Sequence, residues 1–292
     1  MMPSIKPAEV VPLFRSAADE IEEVAVGREI LPPAESSLLT LKPPVDLSGA
    51  PKIIMAIGNG NTGKTTFLRW LAEVTLERGG EPTFAAVDPE NRELKDYFEG
   101  VHEPSSYDPA KVAKWLEDMF AHVMANKGSA CIDFGGGDTT LGRLVADTPN
   151  VVSVLEASGV SPVAIYFLSP RLADLSPLAS LEVAGFQPRA TALVMNEGRS
   201  DPTLPREEAF ARTMRHSVFR AAVGRGAVPL WMPRLLPAKE IEDRRVKFGQ
   251  ARDCEVPEGR RLTPLGPFDR ARVRVWLERM ADSFAPVASW IP

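Results

Sequence analysis

The stretch KIIMAIGNGNTGKTTFLRWLAEVTLE, residues 52–77, decides the reading of this chain. Its first part, Lys52 to Ile57, has the apolar character of a strand buried on both faces. Next comes Gly58-Asn59-Gly60-Asn61-Thr62-Gly63-Lys64-Thr65-Thr66, which fits G-x-x-x-x-G-K-[ST]. A helix follows, with Phe67, Leu68, Leu71 and Leu76 expected on its buried face. Strand, Gly-rich turn and helix in that order make a phosphate cradle. The glycines let backbone N–H groups converge on one point, and the helix N-terminus adds positive dipole there. On this reading Gly58 to Thr66 bind the phosphates of a nucleotide. Lys64 bridges the β- and γ-phosphates as a catalytic group, and the Thr65 hydroxyl ligates Mg²⁺. The bland alternative is an ordinary Gly/Asn turn ahead of a helix.

Downstream the same alternation repeats. Candidate strands are Thr83 to Val87, Ser129 to Asp133, Pro162 to Leu168, Ala190 to Met195 and Ala227 to Trp231. Candidate helices are Lys64 to Arg78, Ala110 to Asn126, Leu141 to Ala146, Leu172 to Val183, Glu207 to Val223, Ala238 to Gly249 and Asp269 to Phe284. The expected fold is α/β: a mostly parallel, doubly wound sheet of the P-loop NTPase type with helices on both faces. Trp115, Leu116, Met119, Phe120 and Val123 have helical spacing and read as core.

Upstream, residues 1–51 hold eight of the 27 prolines, and only Leu13 to Val26 has helical spacing. The chain therefore divides into a Pro-rich arm, 1–51, with a short helix, and a nucleotide-binding domain, 52–292.

Two acidic positions fall at strand ends. Asp133 precedes Phe134-Gly135-Gly136-Gly137-Asp138 and is the candidate Mg²⁺ carboxylate, with a glycine loop placed to sense a γ-phosphate. Asp88 ends the strand before it and opens Asp88-Pro89-Glu90-Asn91; the alternative for Asp88 is a helix N-cap. Asn196, after the fifth strand, is a candidate for reading the base edge or a plain turn residue. Arg199 stands where an N-K-x-D motif would carry its acid, which favours adenine over guanine. Pro233 and Arg234, after the last strand, are candidates for framing the base through backbone groups.

These motifs, GNGNTGKTT, DPEN, IDFGGGD and the later WMPRLLP, resemble the ParA/MinD group of deviant Walker A ATPases. The DPEN after an AAVD strand looks most like the TraL or StbB type of plasmid transfer and stability proteins. The resemblance implies an ATP- and Mg²⁺-dependent switch, a nucleotide-dependent homodimer and a plasmid-system partner protein. It also implies that Asp88 positions or activates the attacking water. One position departs from the pattern: the family's signature lysine, which reaches the partner subunit's nucleotide, aligns with Asn59. A neutral amide supplies no such charge. Lys52 lies too early to replace it, whereas Arg92 or Arg143 could serve as a finger. Two other classes stay open: a nucleotide-gated binding module with negligible turnover, and a small-molecule P-loop kinase, which needs an acceptor pocket.

The 292 residues carry Lys+Arg 34 against Asp+Glu 39, a net charge of −5, which excludes coating nucleic acid by bulk charge. The sum hides unlike parts, −8 up to residue 233 and +3 beyond it. Arg244, Arg245, Lys247, Arg270, Arg272 and Arg274 form a candidate non-specific DNA contact, with an ordinary solvated surface as the alternative. The final apolar stretch, Val273 to Trp290, is expected to pack on its own domain rather than on a membrane, because Asp269, Glu278 and Asp282 oppose anionic lipid. Cys131 and Cys254 lack partner spacing, and the three histidines lack metal-ligand spacing. With no apolar run of membrane-spanning length and no basic leader, a cytoplasmic location is expected.

Overall fold

A computed structural model describes residues 41–87, 94–137 and 139–292. Asp88, Arg92, Asp138 and the Leu13 to Val26 segment lie outside the described residues. The elements run β1 (Lys52–Ile57), α1 (Lys64–Glu77), β2 (Thr83–Ala86), α2 (Pro109–Asn126), β3 (Ala130–Asp133), α3 (Thr140–Asp147), α4 (Val151–Ala157) and β4 (Ser161–Leu168). A 3₁₀ turn, Leu172–Leu175, then leads to α5 (Ser176–Val183) and β5 (Ala190–Asn196). The chain continues through α6 (Arg206–Ala209), α7 (Ala211–Arg215), α8 (Ser217–Arg225), β6 (Val228–Met232), α9 (Ala238–Arg244), α10 (Phe248–Asp253) and α11 (Pro267–Phe284). The strands form one sheet in the order β2-β3-β1-β4-β5-β6, every pair of neighbours parallel.

Period-two alternation in the strands feeds two cores. Ile54 and Ala56 of β1 face one side, with Phe67, Leu68 and Leu71 of α1 and Trp276, Met280 and Phe284 of α11. Ile53, Met55 and Ile57 face the other, with Leu116, Phe120 and Val123 of α2, Leu141 of α3 and Leu181 of α5. Both faces are thus covered by helices, the arrangement expected from strands that are mostly apolar on both faces. The C-terminal stretch packs on this body as expected, with Val273, Trp276, Met280, Phe284 and Trp290 buried. Among the described residues no helix is long and apolar enough to cross a membrane.

Several expectations need correcting. Leu76 is 45% exposed: nine residues after Phe67 it lies half a turn round α1. The end of the proposed arm belongs to the body. Leu47 is buried in the core, its N–H donates to Ser289 Oγ at 3.2 Å, and the Trp290 indole donates to Val45 O at 2.8 Å. The helix expected over 207–223 is broken at Phe210 and His216, and that over 238–249 at Arg245.

Two side chains of α1 fasten the α9–α10 segment. The buried Glu73 carboxylate accepts the N–H groups of Phe248 and Gly249, each at 2.7 Å, at the start of α10. Burial raises its carboxyl above the usual range, against the pull of those N–H donors and Arg69. Arg69, 3% exposed, lies over the Tyr97 and Phe248 rings and donates to Val246 O at 3.1 Å. Glu73→Ala orphans two N–H donors at once and is expected to cost about 2–4 kcal/mol in denaturant melts. Glu73→Gln, which keeps one acceptor, is expected to cost about half of that.

Candidate functional site

The sheet order places β1 at a topological switch point, between β3 on one side and β4 on the other. In open parallel sheets the crevice at the carboxyl ends of such strands is where ligands bind. The Gly58–Gly63 loop occupies that crevice. Gly58 (φ +154) tolerates no side chain, since a Cβ would come 2.9 Å from Phe167 O; Gly63 (φ +103) would place one 2.3 Å from Asn196 Nδ2. Asn61 takes a left-handed φ of 61, a conformation that Asn adopts more readily than most residues.

Helix α1 begins behind this loop with Gly63 as its N-cap, no side-chain cap and no acid in its first turn. Its first N–H groups lack intrahelical acceptors, so dipole and donors together suit an anion. Lys64, 6% exposed, curls back so that Nζ donates to Gly58 O and Asn59 O, each at 2.9 Å.

Alternation along β3 turns Asp133 to the same face as Cys131, the face that α1 covers. Register does the rest, pairing Asp133 with Ala56 at the end of β1. Thr65 Oγ1 therefore donates to Asp133 Oδ2 at 3.0 Å. A hydroxyl and a carboxylate joined this way are hard oxygen donors of the kind Mg²⁺ takes. The loop after β3 then crosses the phosphate loop so closely that a Cβ on Gly136 would lie 2.4 Å from Gly60 Cα.

Asn196, 5% exposed, is a brace for the loop: Nδ2 donates to Thr62 O at 2.8 Å, and Oδ1 accepts the Gly198 N–H at 2.8 Å. The Pro233 carbonyl, expected to frame a base, accepts the Trp276 indole N–H at 2.9 Å. Arg234 turns back onto the carbonyls of Glu197 and Ser200. The Glu197 carboxylate meets Arg206 at 3.1 Å and Arg279 at 3.9 Å.

Asn59 is turned toward its own chain. Its Nδ2 donates to Ala173 O and to Asp174 Oδ1, each at 3.0 Å. Asp174, 1% exposed, also accepts the Ser169 N–H at 3.0 Å, the Ser169 hydroxyl and Arg171 Nη2 at 3.3 Å. This knot ties the start of the phosphate loop to the turn after β4. Sequence reasoning missed it; its trace is Ser169-Pro-Arg171-Leu-Ala-Asp174 directly after an apolar strand.

Several residues of the expected basic face make contacts within the chain. Arg244 donates to Thr263 O and Glu240 O, Arg245 pairs with Asp96 at 3.6 Å, and Lys247 lies over the Phe98 ring. On α11, Arg270 and Arg274 share a side. Arg272 lies two residues on, nearly opposite Arg270, and pairs with Asp269 at 2.8 Å. Among the described residues no cluster of three metal-ligating side chains occurs.

No protein-family model matches the sequence, nor does any curated protein. Three solved structures of FtsY are similar to it. Cell division protein FtsY of Thermotoga maritima is 18% identical, with TM-score 0.42, over 89% of this chain and 76% of that one. Chloroplast FtsY of Physcomitrella patens is 17% identical, with TM-score 0.40, over 67% of this chain and 62% of that one. FtsY of Mycoplasma mycoides is 14% identical, with TM-score 0.36, over 68% and 65%. Six parallel strands between two helical layers, with a G-x-x-x-x-G-K-T loop at the switch point, give this chain a P-loop NTPase fold.

Proposed function

We propose that this chain is a Mg²⁺-dependent, ATP-binding switch ATPase with slow turnover. The observation that carries this is the Thr65–Asp133 contact of 3.0 Å, set beside Lys64 at an uncapped helix N-terminus. Backbone N–H groups of the loop and the Lys64 ammonium would hold the phosphates, and Thr65 with Asp133 would hold Mg²⁺, which supplies charge neutralisation on the phosphate oxygens. Asp88 would position the attacking water, a role carried over from the resemblance to ParA/MinD ATPases. The glycine loop that approaches Gly60 is the segment that an incoming γ-phosphate would order or displace on this reading. Adenine is favoured because Arg199 stands where guanine readers carry an acid, and because Glu197 is held by Arg206.

The setting we infer, again from that resemblance, is cytoplasmic plasmid partition, stability or conjugative transfer, through a nucleotide-dependent homodimer, a partner protein and DNA contact. Phosphate release assays with Mg²⁺ and ATP or GTP test the core of the reading. Wild type is expected to prefer ATP, and Asp133→Asn and Asp88→Ala each to lose about 10²-fold in turnover. GTP preference, or turnover indifferent to Asp133, would reject it. Light scattering with and without ATP tests the dimer.

A second reading, a nucleotide-gated binding module, is favoured by one observation. Asn59, at the position of the family's cross-dimer lysine, is spent on Asp174 of its own chain. Tight ATP retention without phosphate release would select it.

A further inference from the structure

A cavity of about 510 Å³ opens beside the phosphate loop, between α3 and α5. Its volume falls in the roughly 300–1,000 Å³ range of small-molecule sites. Buried Ile57, Phe134, Leu141 and Leu181 give it an apolar wall, and the exposed Arg143 and Ser180 also line it. These apolar residues belong to the core layer away from α1, whereas Thr65 belongs to α1 and Asp133 faces it. The cavity therefore lies on the face of the sheet away from α1, next to the phosphate cradle at the strand ends, and Gly58, Asn59, Gly135 and Gly137 form the walls between them.

We propose that this cavity binds one small molecule with an apolar body and a single anionic group, and that its occupancy is coupled to the nucleotide. The apolar body is what Ile57, Phe134, Leu141 and Leu181 would desolvate. The anion is what the Arg143 guanidinium and the Ser180 hydroxyl would take. Arg143 is the charged side chain among the described residues that line the cavity. Coupling follows from the shared walls: a ligand that prefers one arrangement of Asn59 and the 135–137 loop shifts the nucleotide equilibrium by its differential affinity. This coupling rests on the nucleotide reading above; the binding does not.

The probe is anilinonaphthalene sulfonate, two aromatic units with one sulfonate, titrated by fluorescence into the full chain. Saturation at one dye per chain is expected. Ala184→Trp, just past the end of α5, and Ala146→Trp from α3 fill the cavity from opposite sides, and each is expected to weaken the dye at least about tenfold. Ala146 is exposed, so its variant keeps the test intact should the other misfold. Arg143→Ala is expected to weaken the dye about tenfold, and saturating Mg²⁺ and ATP to shift its Kd at least about fivefold. Dye binding that does not saturate, or that is unchanged in both filled variants, overturns the proposal. An unchanged dye Kd alongside demonstrated nucleotide binding overturns the coupling. A site that binds dye as expected in a chain that binds no nucleotide defeats the switch reading and leaves the cavity assignment standing.

Discussion

Lys64→Ala is expected to lower phosphate release from ATP by about 10²–10³-fold, the effect of deleting one preorganised charge aimed at the reacting group. The structure explains why the loss falls on chemistry more than on folding. The Lys64 ammonium is fixed by two carbonyls of its own loop, Gly58 O and Asn59 O, at 2.9 Å each. Deleting it removes two hydrogen bonds to carbonyls at the loop's edge, a cost of about 1–3 kcal/mol to stability. Lys64→Arg keeps the charge, but a planar fork longer than an ammonium does not fit between those two carbonyls, so it is expected to rescue little. Phosphate release, with circular dichroism as the control on folding, checks both variants. Turnover within a few-fold of wild type in Lys64→Ala would show that the loop is not the reacting centre.

The parts of this site that the sequence exposes are those built by local repetition. Alternation in KIIMAI and SACID places Ala56 and Asp133 at neighbouring strand ends, and the glycine spacing places Lys64 and Thr65 beneath them. All six strands can be read to within a residue at each end, because each is an apolar run too short for a core helix and flanked by turn residues. Helices fared worse where a non-local contact sets the break. Arg245 takes φ 47 at the end of α9, and Arg260, fifteen and sixteen residues on, donates to the carbonyls of Arg245 and Arg244 there. Nothing near Arg245 announces that conformation. At His216 the break is local: its Nδ1 accepts the Val218 N–H, a side chain capping α8 in the middle of uninterrupted apolar spacing. Helix α4 is not legible in the sequence, because Val151, Val152 and Val154 suit a strand as well as a helix. The same limit hid the anchor of the phosphate loop, since Asn59 and Asp174 are 115 residues apart and meet only through the pairing of β1 with β4.

That anchor carries the second large expectation. Asp174→Ala is expected to destabilise the chain by about 3–5 kcal/mol and to weaken nucleotide binding at least about tenfold. The carboxylate is 1% exposed and gathers Asn59 Nδ2, the Ser169 N–H and hydroxyl, and Arg171. Removing it leaves buried donors on two segments without their acceptor, each worth about 1–3 kcal/mol. The nucleotide term has a different origin. Asn59 is the residue after Gly58 in the loop, and its amide fixes where the Asn59 carbonyl points, hence where Lys64 is held. A loosened Asn59 lets that ammonium sample other positions, and affinity falls with the fraction of chains holding the right one. Asp174→Asn separates charge from shape, since it keeps one acceptor but presents N–H to at least one existing donor, and is expected to recover less than half the stability. A double-mutant cycle with Asn59→Ala, read by denaturant melts and by fluorescent-nucleotide titration, should give a coupling of about 1 kcal/mol or more between the two side chains. Additive effects in that cycle would mean that Asp174 supports only the turn after β4, and that the start of the phosphate loop is held by its own backbone.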